Sequence, residues 1–348
     1  KMAGGSTTVL QYAARVGLRG QQRRYLRCLW AANATTTTSF PYMAHAKQEF
    51  CSTSAATSVA SDNGLVGSRT NKSGLRPFTL LQKWQKSPDS WWLRFALPED
   101  QTFLAEKAPT IPTCISVHYN GTTELGDHSV LKKSYSPISH PSTEGTMDLL
   151  VKAYAPRPGG GVGAYLCDMG PGETLQAVLK SKRIMHESPG VLHRWDHLGL
   201  VAGGSGVAPL FQIVQILLQD PTDTTRIQLL SINRIEDDIL MREELDQLAK
   251  DYPDRFSVQY SLTDPPDDWK GLTGRGSVEM VRDALPSPST NSNNKNKNRT
   301  MILVCGRDDF VCTWSGPVVR APPKADGTKG PKIQGPLIGI LQDSGFDE

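Results

Sequence analysis

A glycine-rich turn is the segment of this sequence whose residue types point most directly to chemistry. Residues 201–209 read VAGGSGVAP, after the apolar stretch HLGLVA and before PLFQIVQILL. Glycines at such a turn let the backbone approach a phosphate group, and the start of a helix adds free N–H groups and a positive dipole end. Tight strand-to-helix turns also use glycine for steric reasons, and the spacing is not G-x-G-x-x-G. The turn therefore indicates a nucleotide site only through its strand–turn–helix context.

Three other segments carry groups that suit a cofactor. In KKSYSP (132–137) a strand would place Lys133 and Tyr135 on one face and Ser136 on the other, although a polar strand end is the simpler interpretation. The run GGGVGAYL (159–166) could cradle phosphate, although alone it is more typical of a flexible loop. Cys305 and Gly306 follow the apolar run MILV, at the end of a strand where open α/β sheets bind ligands.

Two kinds of pattern divide the part of the chain that must position these groups. Apolar runs flank a Ser-Pro-Asp-Ser turn within residues 78–97, and further strands are predicted at 112–119 and 147–154. Short strands broken by Gly and Pro predict an antiparallel barrel over residues 75–195. From residue 196 to 348, strands (197–202, 226–232, 256–261, 300–305) alternate with helices (209–218, 239–252, 277–285), and a last helix is predicted at 337–341. This alternation predicts a doubly wound parallel sheet.

Charge is distributed unevenly along the 348 residues. The net charge is +3, but residues 1–48 contain seven basic residues and no acid, which leaves 31 basic and 35 acidic residues for the rest. Residues 10–30 show helix-like periodicity, and the Arg-, Ser- and Ala-rich leader resembles a mitochondrial or plastid transit peptide. A solvated basic tail and an arm that docks on a partner remain alternatives. Residues 31–74 have the composition of a linker.

Composition excludes several classes of protein. With 38% hydrophobic and 21% charged residues, the chain is not disordered throughout. The body after the leader has no Lys/Arg-rich face, which argues against nucleic-acid binding. No run of about 18 apolar residues predicts a membrane span. The six cysteines are scattered without a Cys-x-x-Cys pair, so neither a disulfide framework nor a metal site is expected.

Taken in order, the stretches YSPIS, DLLVKAY, VAGGSGVAPLFQIV and NRIEDDILMREELDQL resemble the ferredoxin–NADP reductase superfamily, and most closely the NADH–cytochrome b5 reductases. The similarity covers about three-quarters of the chain. It implies an FAD-binding barrel at 75–195 and an NAD-binding domain at 196–348, after a leader and linker at 1–74. It also implies hydride transfer from NADH to FAD, followed by one-electron transfer to a haem-protein acceptor such as cytochrome b5.

The resemblance implies a role for individual residues. Lys133 would pair with the FAD pyrophosphate, Tyr135 would pack against the flavin, and Ser136 would hydrogen-bond near flavin N5. Ser136 and Cys305 would be the catalytic residues. Further FAD positions are Ser134, Val151, Lys152, Tyr154, Gly160, Gly161, Val162 and Gly163. The nicotinamide-nucleotide positions are Gly203, Gly204, Ser205, Gly206, Pro209, Cys305 and Gly306.

Several positions depart from the family pattern. Lys133 stands for an Arg, Gly163 for a Ser and Ala208 for a Thr, and Arg307-Asp308 replaces Pro-Pro. Asp308 or Asp309 would oppose an anionic cofactor unless Arg307 compensates. The family's last strand, which ends in an aromatic residue, is expected to be missing after residue 348. A second interpretation therefore stays open, a degenerate reductase fold kept as a structural subunit of a mitochondrial complex.

The choice between NADH and NADPH rests on acidic residues. Asp264, after the third strand of the second domain, could contact a ribose 2′-OH and repel a 2′-phosphate, which favours NADH. The acids at 236–238 are interpreted as the solvated start of a helix, where negative charge is favourable.

Overall fold

The computed structural model describes residues 8–13, 74–104, 113–122, 128–153, 161–181, 186–188, 191–192, 195–288, 299–323, 327 and 332–347. Tyr154 and Gly160, two of the predicted cofactor residues, lie outside the described residues, as does almost all of the leader and linker. No helix in the described part of the chain is long and apolar enough to cross a membrane.

An antiparallel sheet of six strands builds the first half of the body. The elements are β2 (Arg76–Ser87), β3 (Ser90–Ala96), β4 (Thr113–Thr122), β5 (His128–Tyr135), β6 (Thr146–Lys152), α1 (Val162–Asp168) and β7 (Thr174–Ser181). The strand order is β5-β4-β7-β2-β3-β6, and a bridge between Pro137 and Leu149 joins the two ends of the sheet, as a barrel requires. Leu93 and Phe95 alternate with partly exposed neighbours and are fully buried, because successive strand side chains face opposite sides.

A parallel sheet with helices on both faces forms the second half, as predicted. Before it, β8 (His186–Ser188) and β9 (Val191–Leu192) form a separate antiparallel pair. The elements of the second half are β10 (His197–Gly203), α2 (Val207–Gln219), β11 (Arg226–Asn233), α3 (Arg242–Asp251), β12 (Phe256–Leu262), β13 (Leu272–Thr273), α4 (Val278–Ala284), β14 (Thr300–Gly306), α5 (Asp308–Ser315), β15 (Val318–Arg320), β16 (Lys332–Gln334) and α6 (Ile340–Asp343), of which β15 and β16 form another antiparallel pair. Short 3-10 turns occupy Gly204–Gly206 and Glu236–Asp238.

The side chains of β14 show how both faces of this sheet are covered. Met301 and Leu303 enter one apolar cluster with α2 and α3, whereas Ile302 and Val304 enter a second cluster with α4, α5 and α6. The strand is buried at every position, so its sequence is a continuous apolar run without alternation.

A strand near the amino terminus corrects one prediction. Residues 10–30 show helix-like periodicity, but at its start Thr8–Ala13 forms β1 and pairs in parallel with β14, from Thr8 opposite Met301 to Ala13 opposite Gly306. Residues 14–30 lie outside the described residues. The full order of the sheet is β1-β14-β10-β11-β12-β13. Pairing satisfies backbone groups that β14 would otherwise leave open on that side, which outweighs the local helix-like pattern.

The carboxyl-terminal part of the fold departs from the predicted elements at two helices. The last helix begins at Ile340 rather than residue 337, after Gly339 in a left-handed conformation with φ +85°. Helix α5 was not predicted, because its eight residues carry too few apolar positions to show a helical period.

Buried contacts join the two halves of the body. Ile138 and Leu150 of the barrel belong to the same apolar cluster as α2. The fully buried amide of Gln212 accepts a hydrogen bond from the Thr113 N–H at 3.0 Å and donates one to the Ser139 carbonyl at 3.2 Å. Helix α2 is thus fixed against the barrel, together with the glycine turn that directly precedes it.

Candidate functional site

A set of polar groups comes together where β5 and β6 meet the first turn of α1. The Lys133 ammonium lies 5.1 Å from the ring centroid of Tyr135, so these side chains share a face, as their spacing in a strand predicts. A Cβ added to Gly163 would lie 3.2 Å from the Lys152 carbonyl oxygen, 3.6 Å from the Tyr135 hydroxyl and 3.8 Å from the Lys133 nitrogen. The ammonium and the phenol therefore converge on Gly163.

This arrangement fits the phosphate groups of FAD. The N-cap of α1 is Gly161, which makes no side-chain cap among the described residues, and the N–H groups of a helix's first turn can bind an anion. Lys133 supplies a positive charge beside them, and Gly163, which has no side chain, lets the Lys133 nitrogen and the Tyr135 hydroxyl approach this turn closely. Lysine keeps the charge of the family's arginine but not its bidentate geometry.

The remaining barrel positions fall on different surfaces. Ser136 is buried directly after β5, and Ser134 is exposed on the strand face opposite Lys133. The Val151 side chain lies in the barrel core with Val162. The roles that the resemblance implies for these residues remain predictions.

The glycine turn after β10 touches the end of β14. Gly204 has φ +52°, a left-handed conformation that glycine adopts without strain. A Cβ on Gly206 would overlap the Cys305 carbonyl oxygen, so only glycine allows this approach of two backbones. Pro209 is buried in the first turn of α2, a position that suits its fixed φ. Two predicted segments about 100 residues apart thus meet at the carboxyl edge of the sheet, where such folds bind nucleotides.

A phenyl ring that the sequence did not single out lies against the same edge. The Phe310 ring would be 3.0 Å from a Cβ on Gly203 and 2.6 Å from a Cβ on Gly306. The close approach of this ring is therefore a structural reason for glycine at both positions. Phe310 lies on α5, and the failure to predict that helix is the reason this contact was missed.

Charge at the start of α5 is balanced within the structure. Asp309 pairs with Arg307 and with Arg275, each at 3.2 Å. Burial raises the pKa of the Asp309 carboxyl, but the two arginines and backbone N–H groups lower it further, so the net pKa lies below its ordinary value. The expected compensation by Arg307 is present, and Arg275 adds to it from a loop that sequence patterns did not connect to α5.

The Lys152 side chain leaves the barrel and enters an ion-pair cluster. Its nitrogen lies 2.6 Å from Asp89 and 3.1 Å from Asp238. The interpretation of residues 236–238 as a solvated helix start is wrong for Asp238, whose side chain is only 9% exposed. The role of Lys152 in binding FAD remains a prediction. It is supported by the backbone carbonyl of Lys152, which lies beside Gly163.

Comparison with known proteins agrees with both halves of this site. A family model described as an oxidoreductase FAD-binding domain matches residues 77–178, and one described as an oxidoreductase NAD-binding domain matches residues 200–314. The cytochrome b5 reductase domain of Ulva prolifera nitrate reductase has a TM-score of 0.56 and 28% identity, over 69% of this chain and 90% of that one. Fold and site thus define a two-domain oxidoreductase that uses FAD and NADH.

Relatives named as NADH-cytochrome b5 reductases show to which family of oxidoreductases the chain belongs. NADH-cytochrome b5 reductase 2 of Homo sapiens is 30% identical over 259 residues, which are 69% of this chain and 88% of that protein. NADH-cytochrome b5 reductase 1 of Laccaria bicolor is 35% identical over 231 residues, which are 66% of this chain and 68% of that protein. The chain belongs to the NADH–cytochrome b5 reductase family.

Proposed function

We propose that this protein takes a hydride from NADH and passes electrons one at a time to a haem protein of the cytochrome b5 kind. The main observation behind this proposal is that both predicted sites are formed: Lys133 approaches Gly163, and the glycine turn contacts Cys305. Buried apolar contacts hold together the two domains that carry these sites. Relatives named for cytochrome b5 support the acceptor. When bound, FAD supplies the ability to accept a hydride and release single electrons.

The residues of the chain bind and orient in this scheme. Lys133 and the first-turn N–H groups of α1 would hold the pyrophosphate of FAD. Gly203, Gly204 and Gly206 would let the dinucleotide approach the backbone near the start of α2. Ser136, which is buried after β5, would donate a hydrogen bond from its hydroxyl near flavin N5.

Two electron acceptors test this proposal in steps. Ferricyanide accepts electrons from most reduced flavins, so NADH-dependent ferricyanide reduction reports the NADH and FAD half of the reaction alone. We expect purified protein to reduce ferricyanide and oxidised cytochrome b5 with NADH. Reduction of ferricyanide without cytochrome b5 would reject the acceptor and keep the reductase.

A structural subunit of a mitochondrial complex is the second candidate. Arg307 and Asp308, in place of the family's two prolines, favour it. It predicts a protein that folds, reduces neither acceptor and co-purifies with a large complex. Isolation as an active monomer from organelle extract would exclude it.

We further propose that the protein acts in mitochondria. The basis is the leader, with seven basic residues and no acid in residues 1–48. A fluorescent reporter fused after residue 74 should enter mitochondria, and substitution of five leader arginines by glutamine should leave it in the cytosol. Uptake of the reporter into plastids or its retention in the cytosol would reject this location.

A further inference from the structure

The outer edge of β14 is occupied by a strand from the other end of the chain. Strand β1 (Thr8–Ala13) pairs in parallel with β14 at six consecutive positions. Strand β10 pairs with β14 on the other side, so β1 is the last strand of the sheet. Part of the leader therefore belongs to the NAD-binding domain, although residues 14–75 separate it from β2.

Strand β14 needs a neighbour on this side. All seven of its residues are buried, and they contribute to the apolar clusters on both faces of the sheet. An apolar strand with an open edge presents unpaired N–H and C=O groups, which pair readily with other chains. The opposite edge of the sheet ends in β13, which has two residues and is protected by its shortness. β14 has no such protection, so β1 supplies it.

The residues of β1 suit a sheet better than an import signal. The sequence TVLQYA carries no charge and contains Thr, Val and Tyr, which are common in strands. All five arginines of the leader lie after β1, within residues 15–27. The strand and the basic segment are therefore separate parts of the leader, and pairing with β14 uses none of the arginines on which the proposed location depends.

Parallel pairing brings the end of β1 to the nucleotide edge of the sheet. In the register of the pair, Tyr12 lies opposite Cys305 and Ala13 lies opposite Gly306. The Cys305 carbonyl is the group that the glycine turn approaches at Gly206. Strand β14 is thus paired on both sides at the point where it contributes to the predicted nucleotide site, and helix α5 lies beside both β1 and β14.

The same strand of a second copy could in principle occupy this edge. Residues 14–75 connect β1 to β2, and a connection of this length can reach roughly 200 Å when extended, which is ample for pairing within one chain. Tethered segments meet at an effective concentration on the order of a millimolar. Proteins usually work at micromolar concentrations, so pairing within the chain is favoured over exchange between copies.

We infer that β1 positions the carboxyl end of β14 and thereby strengthens binding of the dinucleotide. The leader then has two separate roles, with a structural strand at residues 8–13 and a basic segment after it. The effect on the dinucleotide rests on the proposed function, whereas the pairing of β1 with β14 does not.

Proline substitutions test this inference in the full-length chain. Proline has no N–H, and neighbouring N–H groups of a strand point to opposite sides, so Val9→Pro combined with Leu10→Pro removes a donor on the side of β14. Gly4→Pro combined with Gly5→Pro is the matched control, because both residues precede the strand. A second pair of proteins lacks residues 1–13 or, as its control, residues 1–7.

Four measurements are made on each protein. They are the thermal midpoint without added nucleotide, amide hydrogen exchange, the FAD content and the Kd of NAD⁺. Light scattering gives the oligomeric state of the wild type and of the protein without residues 1–13. The FAD content serves as an internal control, because the FAD cradle lies in the other domain and does not include β14.

The inference predicts effects on the NAD-binding domain alone. Prolines at 9 and 10, or removal of residues 1–13, should lower the thermal midpoint by about 3–6 °C and raise the Kd of NAD⁺ about three- to tenfold. Within β14, the N–H groups that face β1 should exchange at least about tenfold faster, while those that face β10 keep their protection. The FAD content should not change, and both controls should match the wild type.

Three results would overturn the inference. Exchange of residues 8–13 in the wild type as fast as in an unfolded peptide would show that β1 is not paired, whether or not the variants fold. A wild-type dimer that becomes monomeric without residues 1–13 would assign the strand to a second copy. An unchanged Kd of NAD⁺ despite faster exchange in β14 would reject the effect on the nucleotide site.

Failure of the proposed function gives a different pattern. The wild type would then bind no NAD⁺, while the thermal midpoint and the exchange of β14 would still respond to the prolines. That result would reject the role of β1 in dinucleotide binding and keep its pairing with β14.

Discussion

Gly163 shows what a single position does for the FAD cradle. Its missing side chain leaves the space that the Lys133 nitrogen and the Tyr135 hydroxyl border. The family's serine is absent here, so we expect binding of FAD in this cradle to depend on backbone N–H groups and on Lys133. The resemblance to the family predicted that Lys133, Tyr135 and Gly163 bind FAD. That Lys133 and Tyr135 both approach Gly163 became evident only from the folded structure.

Filling this space should expel FAD. Gly163→Val puts methyl groups against the Lys152 carbonyl and the Lys133 ammonium, so we expect about a tenfold loss of affinity for FAD, measured by the flavin retained after gel filtration. Gly170→Ala is the matched control, because its new Cβ meets only the flexible end of Glu173, 3.7 Å away. Equal FAD retention in Gly163→Val and wild type would show that the cofactor does not occupy this cradle.

Ser136 offers a separate prediction about chemistry. If its hydroxyl hydrogen-bonds at flavin N5, Ser136→Ala should slow flavin reduction by NADH about tenfold, the equivalent of ~1.4 kcal/mol, and change FAD affinity much less. Stopped-flow absorbance gives the rate and titration of the flavin-free protein gives the affinity. Losses of the same size in both measurements would reject the assignment.

Among the secondary-structure elements, the contact between the glycine turn and β14 determines the shape of the predicted nucleotide site. Gly206 lies against the Cys305 backbone, where no side chain fits. Displacement of either segment therefore changes the edge at which the dinucleotide binds.

Gly206→Ala should force these segments apart. Overpacking of this kind costs about 1–3 kcal/mol, so we expect a thermal midpoint lower by about 2–10 °C and weaker NAD⁺ binding. Ser205→Ala, one residue away and partly exposed, should leave the midpoint within about 1 °C. A Gly206→Ala protein as stable as wild type would contradict the observed approach.

Periodicity predicted most elements because it reports local burial. The strands β10, β11, β12 and β14 and the hairpin of β2 and β3 were all expected close to their observed bounds. The pairing of β1 with β14 and the burial of Asp238 were not expected, since both depend on partners far away in the sequence. Acids at a helix start are usually solvated, and no local pattern marks the one that meets a lysine of another domain.

For the whole molecule, the main question is how two domains keep two cofactor sites in register. Apolar packing around α2, the Gln212 hydrogen bonds and the Lys152 cluster all cross the boundary. Only the last of these responds to pH, so pH should reveal its share of the stability.

The Lys152 cluster should stabilise the fold over a bounded pH range. Burial raises the pKa of Asp89, but Lys152 and the hydroxyls of Ser87 and Ser90 lower it below the ordinary 3.8, so its contribution exists above that value and is lost as pH falls through the lowered pKa. The Lys152 pKa is raised above 10.5, so its contribution exists below 10.5 and is lost as pH rises through the raised pKa.

The thermal midpoint of wild type minus that of Lys152→Met should therefore be constant across neutral pH. It should shrink in acid below the ordinary value of 3.8 and in strong alkali above 10.5. Differential scanning fluorimetry across this range measures the difference. If this difference in thermal midpoint instead changes near neutral pH, a histidine and not this cluster determines the pH dependence.

An anaerobic titration with NADH tests the central conclusion, that this chain is a working FAD- and NADH-dependent reductase. We predict that the purified protein shows a flavin absorption band, which bleaches in proportion to added NADH up to one equivalent. A folded protein that binds no FAD, or a flavin band that NADH leaves unchanged, would contradict it.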